Sequence, residues 1–305
     1  MKRDLLRIAD LATEEIDAVL ALAGRLKKAL KEGKQHPLLA GRTLAMIFEK
    51  PSLRTRVTFE VGMGQLGGAA VHLAPGDIKL GERESPKDIA RNLDRWVDLI
   101  MARVFTHQSV VDLASGARVP VLNGLSDLHH PCQVLADVFT LLEHRRQVRG
   151  LRVAFVGDGN NMVHSWMDAA ARLHFDFVLA CPQGYEPDPA IAKQAGNWVT
   201  VTHDPATAVR DADVVYTDVW ASMGQEAEAD QRRRVFAPYQ VNEGLVALAR
   251  PDALVMHCLP AHRGEEITDG VLDGPQSIAF EQAGNRMHAQ KALIKWLLLE
   301  QNSLR

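Results

Sequence analysis

Two arginines and two hydroxyl side chains lie on a short polar segment between two apolar runs. The segment reads PSLRTR over residues 51–56, where Pro51 ends the first run and Ser52 can cap a following helix. The first backbone N–H groups of a helix carry partial positive charge, to which Arg54 adds a full charge. These groups suit a phosphate-like anion. A solvated helix start with surface arginines explains the same residues, so the segment alone leaves both interpretations open.

A second polar segment, DLHHPCQ over residues 127–133, follows another predicted strand. Because a residue before proline disfavours helical backbone, His130 is predicted to be extended ahead of a helix, with Gln133 in its first turn. An imidazole and an amide placed there can bind a carbonyl oxygen and an amide nitrogen. A purely structural histidine pair remains the alternative. Arg103, with His107 near it, follows a further predicted strand.

The second half of the chain carries two more polar loops after predicted strands. GDGNNM, residues 157–162, is similar to a dinucleotide-binding loop, but Met162 replaces the third glycine and no ribose-binding acid follows about 20 residues on. This pattern disfavours NAD and makes Asn161 a polar contact. In DVWASMGQ, residues 218–225, Asp218 can hold a substrate ammonium group or cap a turn.

The last polar loop, HCLPAHRGEE over residues 257–266, contains side chains that zinc prefers. One cysteine with histidines at no standard zinc spacing predicts no metal site. Cys258 is therefore either a buried small hydrophobe or a contact to a substrate.

Composition excludes several classes of protein. The chain has 305 residues, 47% hydrophobic and 24% charged, which is typical of a globular protein of two domains. A net charge of −3 gives no basic field for nucleic acid. Three dispersed cysteines argue against a disulfide framework and favour a reducing, cytoplasmic setting. No apolar run reaches the length of about 18 residues that a membrane-spanning helix needs.

Strands alternate with helices along the chain, and the alternation runs through twice with a boundary near Gly150. This pattern predicts an α/β fold of two similar-sized, doubly wound domains with parallel sheets. The predicted domains are residues 1–148 and 149–284, followed by a C-terminal helix within 285–305 that packs back on the first domain. A further helix is predicted over residues 238–249. In such sheets ligands bind at the carboxyl ends of strands, where the polar loops are predicted to lie.

Together and in this order, the segments resemble the aspartate/ornithine carbamoyltransferase family. SLRTR is similar to its carbamoyl-phosphate loop, and HPCQ, residues 130–133, to its His-Pro-x-Gln segment. DVWASMG and HCLPAHRGEE are similar to segments of its ornithine-specific branch. The resemblance implies transfer of the carbamoyl group of carbamoyl phosphate to the side-chain amine of L-ornithine. The products would be L-citrulline and phosphate, a step of arginine biosynthesis or of a urea cycle.

The resemblance also implies roles for individual positions, with carbamoyl phosphate bound by the first domain and ornithine by the second. The residues expected to contact carbamoyl phosphate are Ser52, Leu53, Arg54, Thr55, Lys79, Arg103, His130, Gln133, Cys258, Leu259 and Arg286. Among these, the expected catalytic residues are Thr55, Arg103, His130 and Cys258. The residues expected to contact ornithine are Asn161, Asp218, Ser222 and Met223.

Two positions, Leu53 and Lys79, are expected to affect how tightly carbamoyl phosphate is bound. Leu53 stands where the family usually has threonine, so a hydroxyl donor is lost while the backbone N–H remains. Lys79 lies in a region from which, in this family, a residue can reach the site of a neighbouring subunit. Its positive charge near the phosphate is a compensation for the missing hydroxyl.

The resemblance further implies small-molecule substrates only, no metal or organic cofactor, and a cytoplasmic homotrimer or a multiple of trimers. A carbamoyltransferase for a related amine, such as N-acetylornithine, N-succinylornithine or putrescine, is an alternative. A non-catalytic protein that binds a small anion is another, although it does not explain why His130, Gln133 and Cys258 accompany the arginines.

Overall fold

The computed structural model describes residues 2–221 and 228–300, so the predicted contacts Ser222 and Met223 lie outside the described residues. The chain divides into two compact units. Unit 1 comprises the residues up to 139 together with those from 284 onward, and unit 2 comprises residues 140–283.

Unit 1 contains a parallel sheet of four strands in the order β2-β1-β3-β4. The strands are β1 (Thr43–Phe48), β2 (Ala69–Leu73), β3 (Leu99–Arg103) and β4 (Val121–Leu125). The helices are α1 (Thr13–Lys31), α2 (Leu53–Gln65), α3 (Pro75–Ile78), α4 (Pro86–Leu93), α5 (His107–Gly116) and α6 (Pro131–Arg145), with a 3-10 turn at Ile8–Asp10. The boundary with unit 2 falls inside α6.

Unit 2 contains a parallel sheet of five strands in the order β7-β6-β5-β8-β9. The strands are β5 (Arg152–Val156), β6 (Asp176–Ala180), β7 (Val199–Thr202), β8 (Val214–Thr217) and β9 (Leu254–His257). The helices within unit 2 are α7 (Asn161–Leu173), α8 (Pro189–Ala195), α9 (Pro205–Val209), α10 (Ala229–Phe236), α11 (Glu243–Val246) and α12 (Asp269–Leu272), with 3-10 turns at Gly196–Trp198 and Ala237–Tyr239. Helix α13 (Ala279–Lys295) begins at the end of unit 2, and most of it belongs to unit 1, as does the π-helix Trp296–Glu300 that follows it.

The central strands are apolar on both faces because helices cover both. Every residue of β3 and five of the six in β1 are buried. In unit 2 the strands β5 and β8 are buried in the same way, and Phe155 stacks on Tyr216 with ring centroids 5.3 Å apart. Continuous apolar strands of this kind are typical of parallel sheets. The α/β prediction with two parallel sheets is therefore confirmed.

The C-terminal helix packs on unit 1, as predicted. From α13, Arg286 bonds Thr55 at the start of α2, and Lys291 bonds Gln65 at its end. A Cβ atom added at Gly62 of α2 would lie 3.0 Å from the Lys291 side chain, so the two helices approach closely there.

Each sheet has one point at which the chain changes direction between neighbouring strands. In unit 1 it lies between β1 and β3, since β2 flanks β1 on one side while β3 and β4 extend the other. In unit 2 it lies between β5 and β8. Loops diverge at such points and leave a crevice at the carboxyl ends of the strands, where ligands bind.

Two predictions on helices are corrected, and one helix was missed. The predicted helix 238–249 is a 3-10 turn followed by α11, because Val241 is extended and its N–H donates to the Glu266 carbonyl oxygen. Helix α10 was not predicted, since only Arg232 and Phe236 of its eight residues are buried and no apolar periodicity marks it. Helix α13 begins at Ala279, ahead of the predicted range 285–305, through a polar stretch.

Within residues 2–221 and 228–300, no helix is long and apolar enough to cross a bilayer.

Candidate active site

Helix α2 begins at the carboxyl end of β1 with a side-chain cap. Ser52 is extended, with φ −158°, and its hydroxyl accepts a hydrogen bond from the Thr55 N–H at 3.3 Å. The N–H groups of the first turn are thereby directed away from the helix, as an anion site requires. Leu53 is 75% exposed, and Arg54 is half-buried in the same turn.

Thr55 is the meeting point of two buried arginines. Its hydroxyl oxygen accepts hydrogen bonds from Arg103 at 3.3 Å and from Arg286 at 2.8 Å. Arg103 ends β3 beside Phe48 of β1, and Arg286 lies on α13. Both guanidinium groups are at most 7% exposed, and Thr55 is fully buried. Two positive charges and a helix N-terminus therefore face one place in unit 1.

His130 lies at the same place, just ahead of α6, and is 5% exposed. Burial, followed by the charges of Arg286 and Arg103, holds the pKa of His130 well below its usual value of 6.5. The imidazole is therefore neutral at physiological pH. A neutral ring can donate one hydrogen bond and accept another, which a protonated ring cannot.

Gln133, in the first turn of α6, is oriented by an internal hydrogen bond. Its amide nitrogen donates to Asp137 Oδ1 at 2.8 Å, and both residues are buried. Because this hydrogen bond uses the amide nitrogen, the Gln133 carbonyl oxygen points away from Asp137. That oxygen can accept a hydrogen bond from a ligand N–H.

Lys79 differs from these residues because it is exposed. It ends α3 with a left-handed backbone, φ 46°. Its side chain makes no hydrogen bond or ion pair with the other described residues.

In unit 2, Asp218 follows β8 and gathers three donors. Its Oδ2 atom accepts from the Asn160 side chain at 3.0 Å, and its Oδ1 atom accepts from the Cys258 thiol at 2.8 Å and from the Val219 N–H at 2.8 Å. Asp218 is 8% exposed. The loops after β5, β8 and β9 thus bring Asn160, Asp218 and Cys258 together. Asp218 and Cys258 were predicted as site residues.

Asn160 was not among the predicted site residues, which included its neighbour Asn161. Asn160 caps α7 by accepting from the N–H groups of Met162 and Val163, and its amide nitrogen then reaches Asp218. Asn161 is the first residue of α7 and is half-buried. The cap position ahead of an apolar run was the sequence signal that could have identified Asn160.

A buried histidine and a buried glutamate hold the loop after β9 by hydrogen bonds to its backbone. The Leu259 N–H donates to His257 Nδ1 at 2.8 Å, so the other ring nitrogen, Nε2, carries the proton and donates to Glu266 Oε1 at 3.0 Å. Glu266 also accepts from the His262 N–H. Leu259 adopts a left-handed backbone, φ 56°, before Pro260. These contacts fix the backbone on which Cys258 and the Leu259 carbonyl are presented.

Asp218, His257 and Cys258 could also be considered as metal ligands, since their ligand atoms lie within 4.8 Å of one another. Their hydrogen bonds argue for a different use. Both nitrogens of His257 are engaged with protein groups, and the Cys258 thiol donates to Asp218. The donor set is thus satisfied internally.

Comparisons with known proteins assign both units to one family. Residues 3–143 match the carbamoyl-phosphate-binding domain of aspartate/ornithine carbamoyltransferases, and residues 149–297 match their aspartate/ornithine-binding domain.

Individual relatives match over almost the whole chain. An ornithine carbamoyltransferase of Anoxybacillus flavithermus is 54% identical over 303 residues, covering 97% of this chain and 96% of its own. The solved structure of ornithine carbamoyltransferase from Pyrococcus furiosus is 54% identical, with a TM-score of 0.94 and 97% of each chain covered. The anabolic ornithine carbamoyltransferase of Campylobacter jejuni is 38% identical, with a TM-score of 0.92 over the full length of both chains. The chain therefore belongs to the aspartate/ornithine carbamoyltransferase family.

Proposed function

We propose that this protein transfers the carbamoyl group of carbamoyl phosphate to the side-chain amine of L-ornithine, producing L-citrulline and phosphate. The observation that carries the proposal is the convergence of Arg103 and Arg286 on Thr55, at the N-terminus of α2, with neutral His130 within reach of both arginine charges. Such a cluster suits a ligand with both a phosphate and a polar carbonyl. The names of the relatives support ornithine as the acceptor.

The phosphate is bound by the first turn of α2. The N–H groups of Leu53 and Arg54 and the Ser52 hydroxyl supply donors, and Arg54, Arg103 and Arg286 supply charge. Because these donors are fixed by a capped helix and by buried contacts, they need little reorganisation when the phosphate arrives.

The carbamoyl group is oriented by a second set of residues. Thr55, Arg103 and His130 donate to its carbonyl oxygen, where negative charge develops as the amine attacks. The Gln133 carbonyl oxygen accepts from the carbamoyl amide. The amine lone pair forms the new C–N bond, and the bond between the carbamoyl carbon and the bridging oxygen breaks. Phosphate departs with that electron pair and takes up the proton that the amine nitrogen loses.

Ornithine is bound by unit 2. The Asp218 carboxylate, oriented by Asn160, takes the α-ammonium group, and Asn161, Ser222 and Met223 complete the amino-acid contacts. Cys258 and the Leu259 carbonyl contact the side-chain end of ornithine. Its amine must lose a proton from an ordinary pKa of about 10.4, and positive charge around it favours the neutral form. A carboxylate at Asp218 favours an acceptor with a free α-ammonium group over N-acetylornithine, N-succinylornithine or putrescine.

A citrulline assay tests the proposal. The purified protein is expected to form product from carbamoyl phosphate and L-ornithine, and not from the three related amines. Arg54→Ala is expected to abolish use of carbamoyl phosphate while the circular dichroism spectrum stays unchanged. Arg56→Ala is the matched control, since Arg56 lies on the same helix, is exposed and pairs with Glu60. An active Arg54→Ala variant would refute the phosphate assignment.

We also propose that the enzyme is a cytoplasmic homotrimer of the biosynthetic type, with Lys79 acting in the site of a neighbouring subunit. Supporting the assembly, α2 exposes two apolar side chains one turn apart, Val57 and Val61, each at least 43% exposed. Analytical ultracentrifugation should give three times the chain mass of 33.6 kDa. Cell fractionation should recover the activity with the cytosol.

A further inference from the structure

Arg232, on α10, is a buried arginine that lies outside the predicted substrate contacts. Its side chain is 7% exposed. One guanidinium nitrogen, Nη1, donates both to Asp158 Oδ2 at 2.8 Å and to the Trp220 carbonyl oxygen at 2.9 Å. The Nε atom donates to Glu228 at 3.2 Å. Tyr185 and Phe236 flank the guanidinium, with ring centroids 5.0 Å and 6.0 Å away.

The two acceptors of that nitrogen belong to the two loops that carry the ornithine contacts. Asp158 lies in the loop after β5, two residues before Asn160, and Trp220 lies in the loop after β8, two residues after Asp218. These loops diverge at the point where the sheet of unit 2 changes direction. A single side chain therefore joins both walls of the predicted ornithine crevice.

The loop after β5 transmits this restraint because its backbone is packed tightly. The Gly159 N–H donates to the Tyr185 carbonyl oxygen at 2.9 Å, and a Cβ atom at Gly159 would lie 2.4 Å from the Pro187 nitrogen. With Asp158 held by Arg232 and Gly159 held by this contact, Asn160 has little freedom. Its amide then determines the orientation of Asp218.

The charges around Asp158 also support a role for Arg232 in holding the two loops. Burial raises the pKa of Asp158, the Arg232 charge opposes that rise, and the nearby Asp218 charge adds to it. Arg232 thus favours the ionised, paired form of a second carboxylate next to Asp218. Without the guanidinium, Asp158 would take up a proton or repel Asp218, and either change would disturb the ammonium site.

We infer that Arg232 is a positioning residue for ornithine: it holds the Asp158–Asn160 loop and the Asp218–Trp220 loop in register, so that Asp218 meets the α-ammonium group. Nη1 donates to both loops while Nε of the same rigid plane donates to Glu228, a set of contacts that the single ammonium group of lysine reproduces only in part. The inference deepens the proposed function and rests on it.

The test compares the KM for ornithine with the KM for carbamoyl phosphate in variants of the full-length enzyme. Arg232→Met, and to a smaller extent Arg232→Lys, should raise the KM for ornithine by about tenfold or more, because misplaced binding groups lose affinity. The KM for carbamoyl phosphate should stay within about twofold, since the hydrogen-bond acceptors of Arg232, namely Asp158, Trp220 and Glu228, all belong to unit 2. Asp158→Asn should also raise the ornithine KM, and the double variant should be less than additive.

Arg233→Met is the matched control. Arg233 is the next residue, its side chain is 51% exposed, and it pairs with Asp230 and Glu265. Its ornithine KM should be unchanged. If Arg232→Met fails to fold, by circular dichroism, Arg232→Lys and Asp158→Asn decide the matter. Unchanged ornithine KM values, or equal rises in both KM values, would overturn the inference. A wild-type enzyme that forms no citrulline would instead refute the proposed function.

Discussion

Leu53 stands where the family usually has threonine, at the first turn of α2. Its side chain is 75% exposed, so it contributes little to packing. Leu53→Thr should add a hydroxyl donor to the phosphate and lower the KM for carbamoyl phosphate. A neutral hydrogen bond of about 0.5–1.5 kcal/mol corresponds to roughly a twofold to tenfold change. Steady-state kinetics at saturating ornithine will measure it.

The control for this prediction is Leu53→Ala, which removes the same apolar surface without adding a donor. Its KM for carbamoyl phosphate should equal that of the wild type, and its unfolding free energy should differ by less than about 0.5 kcal/mol. A Leu53→Thr variant that behaves like Leu53→Ala would mean that the side chain at this position does not reach the phosphate.

At the residue scale, local signals in the sequence were sufficient for caps but not for long-range contacts. The cap at Ser52 follows from its hydroxyl and from the proline before it, and the structure has the cap. The meeting of Arg103 and Arg286 at Thr55 joins residues that are 48 and 231 positions apart from it. No spacing rule predicts such contacts, and only the family resemblance indicated that these arginines act together.

At the element scale, apolar periodicity predicted the strands well because a parallel sheet buries both faces of each strand. Helix α10 escaped prediction for the opposite reason: it buries only Arg232 and Phe236, so it lacks an apolar stripe. The helix predicted over 238–249 failed because Val241 pairs with Ile267 as an isolated bridge. A tertiary contact there overrides the local helical preference.

The contact between α13 and α2 depends on Lys291, which is fully buried. Its ammonium group donates to Gln65 at 2.8 Å and to His36 Nε2 at 2.7 Å, while His36 Nδ1 donates to the Lys34 carbonyl oxygen. Burial lowers the pKa of Lys291 from 10.5 to about 8. Protonated lysine is thus less favourable in the folded protein than in the unfolded chain.

The lowered pKa of Lys291 makes the stability of the folded protein depend on pH. Between pH 8 and 10.5 the unfolded chain binds the proton that the folded protein has lost, so stability rises with pH across that window. Between pH 7.5 and 9.5 the wild type should gain roughly 1–2 kcal/mol of unfolding free energy from this group. Lys291→Met should abolish that gain, as measured by urea unfolding at both pH values. Lys28→Met, at a position whose side chain is 78% exposed on α1, should retain it.

At the scale of the whole molecule, Lys79 determines whether each site uses residues of two subunits. Lys79 is exposed and left-handed at the end of α3, and it contacts no other described side chain of its own subunit by hydrogen bond or ion pair. A side chain so placed is available to a second copy of the chain. In a cyclic trimer each subunit would donate one Lys79 and receive another.

Subunit mixing distinguishes a Lys79 that acts in the site of a neighbouring subunit from one that acts in the site of its own subunit. Arg54→Ala and Lys79→Ala homotrimers should each be impaired with carbamoyl phosphate. When they are co-expressed in equal amounts, random assembly should pair an intact Arg54 with an intact Lys79 from the neighbour in about a quarter of the sites. Activity should therefore recover to about a quarter of the wild-type value. If Lys79 served its own subunit, every site would lack one of the two cations, and mixing would restore nothing.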